Sequence, residues 1–570
     1  MRRLARLLVV LCGLAFAQVV AAVPAAAQSA DVARKEFVIG IAQYPATFHP
    51  NIESMMAKAY LLGFTQRLVT VYDKDWELVC MLCTELPTIE NGLAVIEKLP
   101  EGTDNGGAGE NGIAVTYTID PKAVWGDGTP ITTDDVIFTW EVGRHPESGV
   151  VSGEGYRRIL SIDAIDDKTF VVHQDRVDFT YNAMNDFRLL PAHIERAIFE
   201  GNPREYRNRT AYDTNPTDPG LWYGPYRVAS VTAGAEIVLE RNPNWWGAAP
   251  AFDRIRLVAI ENTAALEANL LSGSIQMIAG ELGLSLDQAL AFEQRNGDDY
   301  KVIYKSALFY EHLEPNLDGP IVGDLRVRQA LLHAIDRDAI NRQLFAGKQT
   351  IALTNVNPLD WMYTADVVRY PYDPARAAAL LDEAGWREGP DGWRANDAGE
   401  RLAFTLMSTA GDRSRELVEQ VLQNQWREVG IDVSIRNQPA RVLFGETIPQ
   451  RKFDGLALFA WLSAPESVPR TTMHSTMIPT EANNWQGQNS AGYSSERVDA
   501  LIDAMEIELD REKRGEMWRE LQRLYAEELP AIPLWFRSQA FIMPTWLGGL
   551  EPTGNQYPTS LWVETWSIAE

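Results

Sequence analysis

The sequence predicts an α/β protein built as two or three lobes. A chain of 570 residues is too long for one hydrophobic core, since single cores stop growing at roughly 250–300 residues. From residue 252 onward, strand-type and helix-type patterns alternate. Residues 402–408 read as a strand, 414–429 as an amphipathic helix ended by Gly430, and 431–435 as an alternating strand. Such a β-α-β run implies parallel strands joined by a right-handed crossover.

The N-terminus reads as a secretory leader. Arg2, Arg3 and Arg6 precede an apolar run over 7–20 that is short for a bilayer span, and Ala25, Ala26 and Ala27 offer a small-residue cleavage site before Gln28. Leu11 is too bulky for a lipoprotein signal at Cys12. Removing the leader takes away three arginines and no acid, so the net charge moves from −26 to −29. That surface argues against nucleic acid, whose phosphates need clustered Lys and Arg. An exported, periplasmic, soluble monomer is expected. Cleavage leaves Cys80 and Cys83, spaced C-x-x-C. In an oxidising compartment this reads as a small local disulfide, because no second Cys or His pair stands at metal-ligand spacing. No metal and no cofactor are expected.

In chain order, residues 36–42 form an apolar strand, followed by a loop over 43–51 that carries Pro45 and Pro50. Residues 57–69 predict a helix. Residues 73–128 are irregular and strand-rich, interrupted by a loop at 101–112 with five glycines and no apolar anchor, expected to be exposed and mobile. At 125–140 (WGDGTPITTDDVIFTW), Asp127-Gly128 suits a turn, Thr132 caps a helix with Asp135 three residues on, and Val136 and Trp140 share a face expected to be buried. Residues 162–172 predict a hairpin around Asp166-Asp167. WYGPYRV (222–228) and RNPNWWG (241–247) flank a strand at 238–241. Residues 255–260 predict a strand and 263–271 a helix. DLRVRQALLHAIDR (324–337) places Val327, Ala330, Leu331, Ala334 and Ile335 on one stripe behind the cap Asp324, with Arg326, Arg328 and Arg337 expected on a solvated face. YDPARAAALLDEAGW (372–386) carries Asp373 as cap, Pro374 at the first turn and Gly385 at the end. A buried-type strand follows at 453–461, then two acidic amphipathic helices within 496–528, and ELPAIPLW at 528–535.

These stretches, taken together and in this order, resemble the bacterial extracellular solute-binding proteins of family 5, the dipeptide-, oligopeptide- and nickel-binding proteins of ABC importers. The resemblance runs from about residue 37 to residue 535. It implies a periplasmic-binding-protein-like (type II) two-lobe cleft fold with an additional smaller domain and two crossing strands. The carried-over division is lobe I over 31–76, 175–262 and 533–570, the small domain over 77–174, and lobe II over 263–532. It also implies a small-molecule ligand, peptide or peptide-like, and ABC permease subunits as partners.

No enzyme motif stands beside this reading. The seven histidines are scattered and no nucleophile elbow, H-E-x-x-H or P-loop occurs. The alternative is a secreted, glycosidase-like hydrolase using two cleft carboxylates. In the peptide-binding relatives an Asp three residues after the strand-end Trp holds the ligand's α-amino group. Here Ala464 stands at that place, with Glu466 as a displaced carboxylate. Trp461 is expected at the cleft as an aromatic wall. The polar loop at 474–493 offers His474, Asn484 and Trp485, the N-terminal loop offers Tyr44, and Arg413 is a candidate for a ligand carboxylate.

Overall fold

The computed structural model describes residues 35–569 except Gly107, Val151, Ser152, Asp186 and Asn484. The expected leader and its cleavage site at Ala27 lie outside the described residues. A mixed 11-stranded sheet runs through both lobes. Across it the order is Asp432–Ile435, Ala403–Met407, Gly455–Leu462, Tyr300–Pro315, Ile532–Pro544, Met277–Ile278, Glu36–Ile41, Arg254–Ala259, Glu236–Arg241 and Tyr226–Thr232, with Thr350–Ile351 beside Ile532–Pro544. The two long antiparallel strands, Tyr300–Pro315 and Ile532–Pro544, belong to both lobes. Their register slips between Ser306 and Tyr310 and again between Glu311 and His312. Bulges of this kind bend a ladder and free its central residues, and here they mark where the strands cross from one lobe to the other.

Each half of the sheet is covered on both faces, as strands with continuous apolar runs require. Phe37, Ile39, Leu257 and Met543 share one core, while Leu266, Phe292 and Ile542 share another on the opposite face. In the second lobe, Leu331, Leu406, Trp426 and Leu456 pack on one face and Tyr310, Ile502, Trp518 and Tyr525 on the other. A separate 4-stranded antiparallel sheet closes over Val115, Tyr117, Val136 and Phe170. Among the described residues no helix is long and apolar enough to cross a membrane.

The local readings rest on identifiable bonds. Thr132 and Asp135 form the capping box of the helix Thr133–Arg144. Asp135 is buried and accepts further bonds from Ala192 N (2.9 Å) and Trp125 Nε1 (3.3 Å), so this cap also ties the helix start to its neighbours. Asp324, Asp373 and Asp412 accept from Arg326 N, Arg376 N and Arg415 N respectively. Strands Ala403–Met407 and Asp432–Ile435 pair in parallel. Cys80 and Cys83 are disulfide-bonded with Cα atoms 5.2 Å apart.

Four readings differ. The first helix is Met56–Thr65, shorter than 57–69, because buried Arg67 donates to the carbonyls of Gly63 (2.8 Å) and Gln66 (2.6 Å) and closes the helix end. The stripe at 324–337 is two helices, Leu325–His333 and Arg337–Phe345. Arg328 and Arg337 are buried, 6% and 9% exposed. Arg328 donates to the carbonyls of Leu529, Val322, Gly323 and Glu528, and Arg337 to those of Ala352, Pro533 and Tyr370. Burial lowers both guanidiniums to about 10. The loop at 101–112 is exposed along most of its length, as expected, and within it Asn105 is buried and donates to the carbonyls of Asp175 (3.0 Å) and Gly109 (2.9 Å). Trp140 is only half-buried, its Nε1 donating to Tyr156 O at 3.0 Å and the Arg144 guanidinium lying 4.5 Å from its ring centre.

Candidate functional site

The short hairpin Thr70–Tyr72 and Leu78–Cys80 carries Trp76 at its tip with φ of 62°. A left-handed backbone at a bulky residue is costly and persists where surrounding contacts fix it. Here the indole is buried and donates from Nε1 to Thr553 O at 2.8 Å. The neighbouring Glu77 meets Arg511 of the second lobe at 2.7 Å, and Phe179 N donates to Glu506 O at 3.1 Å. These contacts bring the N-terminal half of the chain against the last two long helices.

Between Trp76 and the end of the strand Gly455–Leu462 lies a cavity of about 980 Å³, its mouth included. Trp461 forms one wall, paired with Tyr310 across the ladder and edge-on to Phe459 at 5.4 Å between ring centres. Tyr310 stacks on His312 and shares a hydrogen bond with Tyr525 at 2.8 Å. Glu314 is saturated: it accepts from Ser490 Oγ and Ala491 N, both at 2.9 Å, and lies 3.1 Å from His312 Nε2. Asp360 is different. It is 7% exposed and accepts only backbone N–H groups, Glu466 at 3.0 Å and Met362 at 3.4 Å. Burial pushes its carboxyl up to about 7, against those two hydrogen bonds, and the Glu466 charge adds to the rise. Among the described residues no Lys or Arg lines this cavity.

A second cavity adjoins it along Leu308 and Leu462, and a third adjoins the second along Glu281, Phe309 and Gln539. One is lined by Lys58, whose ammonium donates to the carbonyls of His49, Ile52 and Glu53 and which burial lowers to about 8. The other is lined by Glu311, Arg415 and Arg537. Glu311 is buried between these guanidiniums, with Arg415 Nε at 2.6 Å and Arg537 Nε also donating. Burial raises the Glu311 carboxyl, but the charges of Arg537 and Arg415 outweigh it and hold it below the usual range.

The sequence candidates scatter. Trp461 lines the first cavity and Ala464 lies beside it. Glu466 turns aside, with φ of 57°, and its carboxylate accepts from Trp361 Nε1. Arg413 has a side chain 69% exposed, with a contact to Glu416 at 3.9 Å; the guanidinium facing a cavity from this helix start is Arg415. His474 is buried against Thr476 Oγ1 (2.7 Å) and Asp503 (3.5 Å), fastening its loop to the helix Glu496–Ile507. Tyr44 packs edge-on to Phe48, 6.3 Å between centres, over the first-lobe core. Trp485 has φ of 59° and donates its backbone N–H to Thr480 O at 2.8 Å; from the same loop, Gln488 and Ala491 reach the cavity. Asn484 lies outside the described residues. Sequence reasoning missed Trp76 and Asp360. Trp76 carried a usable signal, a single large aromatic in the polar turn 73–77; Asp360 carried none. Among the described residues no three His, Cys, Asp or Glu side chains group as for a metal ion.

Residues 107–483 match the family described as "Bacterial extracellular solute-binding proteins, family 5 Middle". The oligopeptide-binding protein AppA of Bacillus subtilis (strain 168) is 23% identical over 536 residues, covering 92% of this chain and 91% of its own. The oligopeptide binding protein from Thermus thermophilus, solved with a pentapeptide, superposes with a TM-score of 0.66 at 27% identity, covering 94% of this chain and 96% of its own. NikZ from Campylobacter jejuni, solved with Ni(L-His), superposes with a TM-score of 0.68 over 94% of this chain and 99% of its own; at 20% identity it speaks to the fold alone.

Proposed function

We infer that this chain, which belongs to the bacterial extracellular solute-binding proteins of family 5, is the substrate-binding component of an ABC importer and carries a peptide or peptide-like solute. The observation that carries the reading is a cavity walled from both halves of the chain, by Trp76 on one side and by Trp461 and Ala464 on the other. The halves are joined through two long strands whose pairing slips near Ser306, a geometry about which lobes close on a ligand. The oligopeptide-binding relatives support a peptide. The nickel chelate held on the same fold is the reason to measure the ligand directly. On this reading the protein is exported to the periplasm, acts as a monomer without catalysis, and docks on permease subunits. The hydrolase alternative draws no support from the family or the relatives.

The division into lobe I (31–76, 175–262, 533–570), small domain (77–174) and lobe II (263–532) is supported by core membership: Phe37 and Met543 share one core, Val115 and Phe170 another, Leu331 and Trp426 a third. Leu266 and Phe292 pack with Val38 and Val258, which favours starting lobe II after residue 299. Of the sequence candidates we retain Trp461 as a ligand contact, supported by its place in the cavity wall.

Native mass spectrometry of the protein taken from its own periplasm without refolding tests the reading. The expected result is a family of adducts that fragment as peptides. An adduct that fragments as a sugar or a metal chelate overturns the peptide assignment.

A further inference from the structure

The small domain is built into the first lobe. Helix Thr133–Arg144 places Val136 in the core under the four-stranded sheet and Phe138 and Val142 in the core that holds Phe37. A helix packed into two cores at interior density ties them into one body. Among the described residues none from 77–174 lines the first cavity, and Val150 and Tyr156 are that stretch's share of the second.

Where this body meets the second lobe, the contacts gather on one short turn. Helices Glu496–Ile507 and Arg511–Glu528 are joined by Glu508, Leu509 and Asp510. Asp510 caps the second helix. Buried Arg514 reaches back to the carbonyls of Glu508 (2.9 Å) and Leu509 (3.4 Å), which stiffens the turn. Leu509 packs on the core under the four-stranded sheet, the core that also takes Tyr181, Met184 and Phe187. From that same segment, Phe179 N donates to Glu506 O at 3.1 Å, and the Phe179 ring lies 4.6 Å from the Arg514 guanidinium. Arg511 Nη2 donates to both oxygens of Glu77 at 2.7 Å.

The turn also leads to the wall of the first cavity. The Arg511 guanidinium lies 4.4 Å over the ring of Trp361. Gly515 lets the helix approach that ring, since a Cβ there would come within 2.9 Å of it. Trp361 Nε1 donates to the Glu466 carboxylate, and Glu466 N donates to Asp360 Oδ2 at 3.0 Å. Asp360, Ala464 and Ser467 line the cavity.

We propose that the turn 508–510 is a clasp by which the small domain, carried on the first lobe, grips the second, and that this grip sets how fast a bound solute leaves. The small domain then acts on the first cavity mechanically, through Arg511 and Trp361, without touching what the cavity holds. An exposed ion pair alone is a weak hold; here it stands beside an apolar contact, a backbone hydrogen bond and a cation over a ring. The proposal rests on the reading that the lobes close on a solute, and it is the same for a peptide or any other.

The test uses full-length mature protein taken from the periplasm without refolding, as wild type, Arg511→Glu, and the exchanged pair E77R/R511E. After dilution into solute-free buffer, native mass spectrometry follows loss of the adduct each protein carries. Hydrogen exchange follows the Phe179 N–H and residues 461–469. In R511E the new carboxylate faces Glu77, Glu466 and Asp360, the acids whose charges act on Arg511. The expected result is release about five-fold faster in R511E, recovery to near wild type in the exchanged pair, and a smaller gap in about 0.5 M NaCl, which screens half-exposed charges. Exchange at Phe179 and over 461–469 should rise and recover in step. Equal release from wild type and R511E overturns the proposal, and so does an R511E effect that the exchanged pair does not recover. In a preparation that carries no adduct the exchange readings decide alone, and unchanged exchange in R511E overturns it. An adduct that is not a peptide overturns the peptide assignment and leaves the clasp standing.

Discussion

Asp360 makes a prediction that needs no ligand. Burial raises its carboxyl from an ordinary 3.8 to about 7, so the folded protein binds this proton more tightly than the unfolded chain does. The sign follows from linkage: the stability associated with the group is fully present below the unfolded value and is lost as pH rises through the folded one. A shift of this size at roughly 1.36 kcal/mol per unit puts the cost of the buried anion at about 4 kcal/mol at pH 8 and at less than half of that at pH 5. Asp360→Asn abolishes this cost at every pH. It also removes one of the two oxygens that accept from Glu466 N and Met362 N, a loss of about 1 kcal/mol that does not depend on pH.

The empty D360N protein is therefore expected to be more stable than wild type at pH 8, with a margin that grows by a few kcal/mol between pH 5 and pH 8. Urea unfolding followed by tryptophan fluorescence at the two pH values measures it. The other charges near the site, Glu466, Arg511 and Arg514, and the phenol of Tyr72, are present in both proteins and cancel in the comparison to first order. A margin that does not change with pH, or a D360N protein less stable than wild type at pH 8, would refute the reasoning.

Two further outcomes are expected. Glu311→Gln leaves the guanidiniums of Arg415 and Arg537 without their shared carboxylate and should cost roughly 3 kcal/mol at neutral pH. Because the Glu311 carboxyl is held low, its contribution is present above its unfolded value and lost as pH falls through the folded one, so the gap between the urea midpoints of E311Q and wild type should close at acid pH. Replacing both Cys80 and Cys83 with Ser opens a loop whose ends are three residues apart, worth about 2 kcal/mol by chain entropy. The loss should show as faster amide exchange in the hairpin that carries Trp76, and dithiothreitol on wild type should reproduce it; unchanged exchange there would mean the staple does not hold the tip.

What was legible in the sequence is what is decided within one turn of chain. The capping box at Thr132 and Asp135, the caps Asp324 and Asp373, and the parallel pairing on either side of the helix Arg413–Glu428 all depend on residues a few positions apart or on one periodic stripe. The burial of Arg328 was not legible because its partner Leu529 lies 201 residues away. A guanidinium on the polar side of a helix looks solvated until the chain that covers it is known. The end of the first helix failed for a related reason, since helix propensity at 66–69 was overridden by a side chain folding back onto the helix's own last carbonyls.

The cavity is the extreme case of that rule. Its recognisable part, the strand ending at Trp461, is local, and from it Ala464 reads either as the loss of an amine site or as its displacement to Glu466. The charge at the site, however, is a property of the assembled walls. Trp361 and Glu466 are joined across 105 residues, Asp360 and Glu466 across 106, and Trp76 reaches Thr553 across 477. A carboxylate supplied from a second segment can do for an ammonium what one supplied by the strand end does, because the ligand meets position and charge and not chain order. Ala464 by itself therefore excludes an amine no more than an Asp there would have guaranteed one. In this cavity Asp360 is a carboxylate that makes no ion pair among the described residues, although the Arg511 charge acts on it.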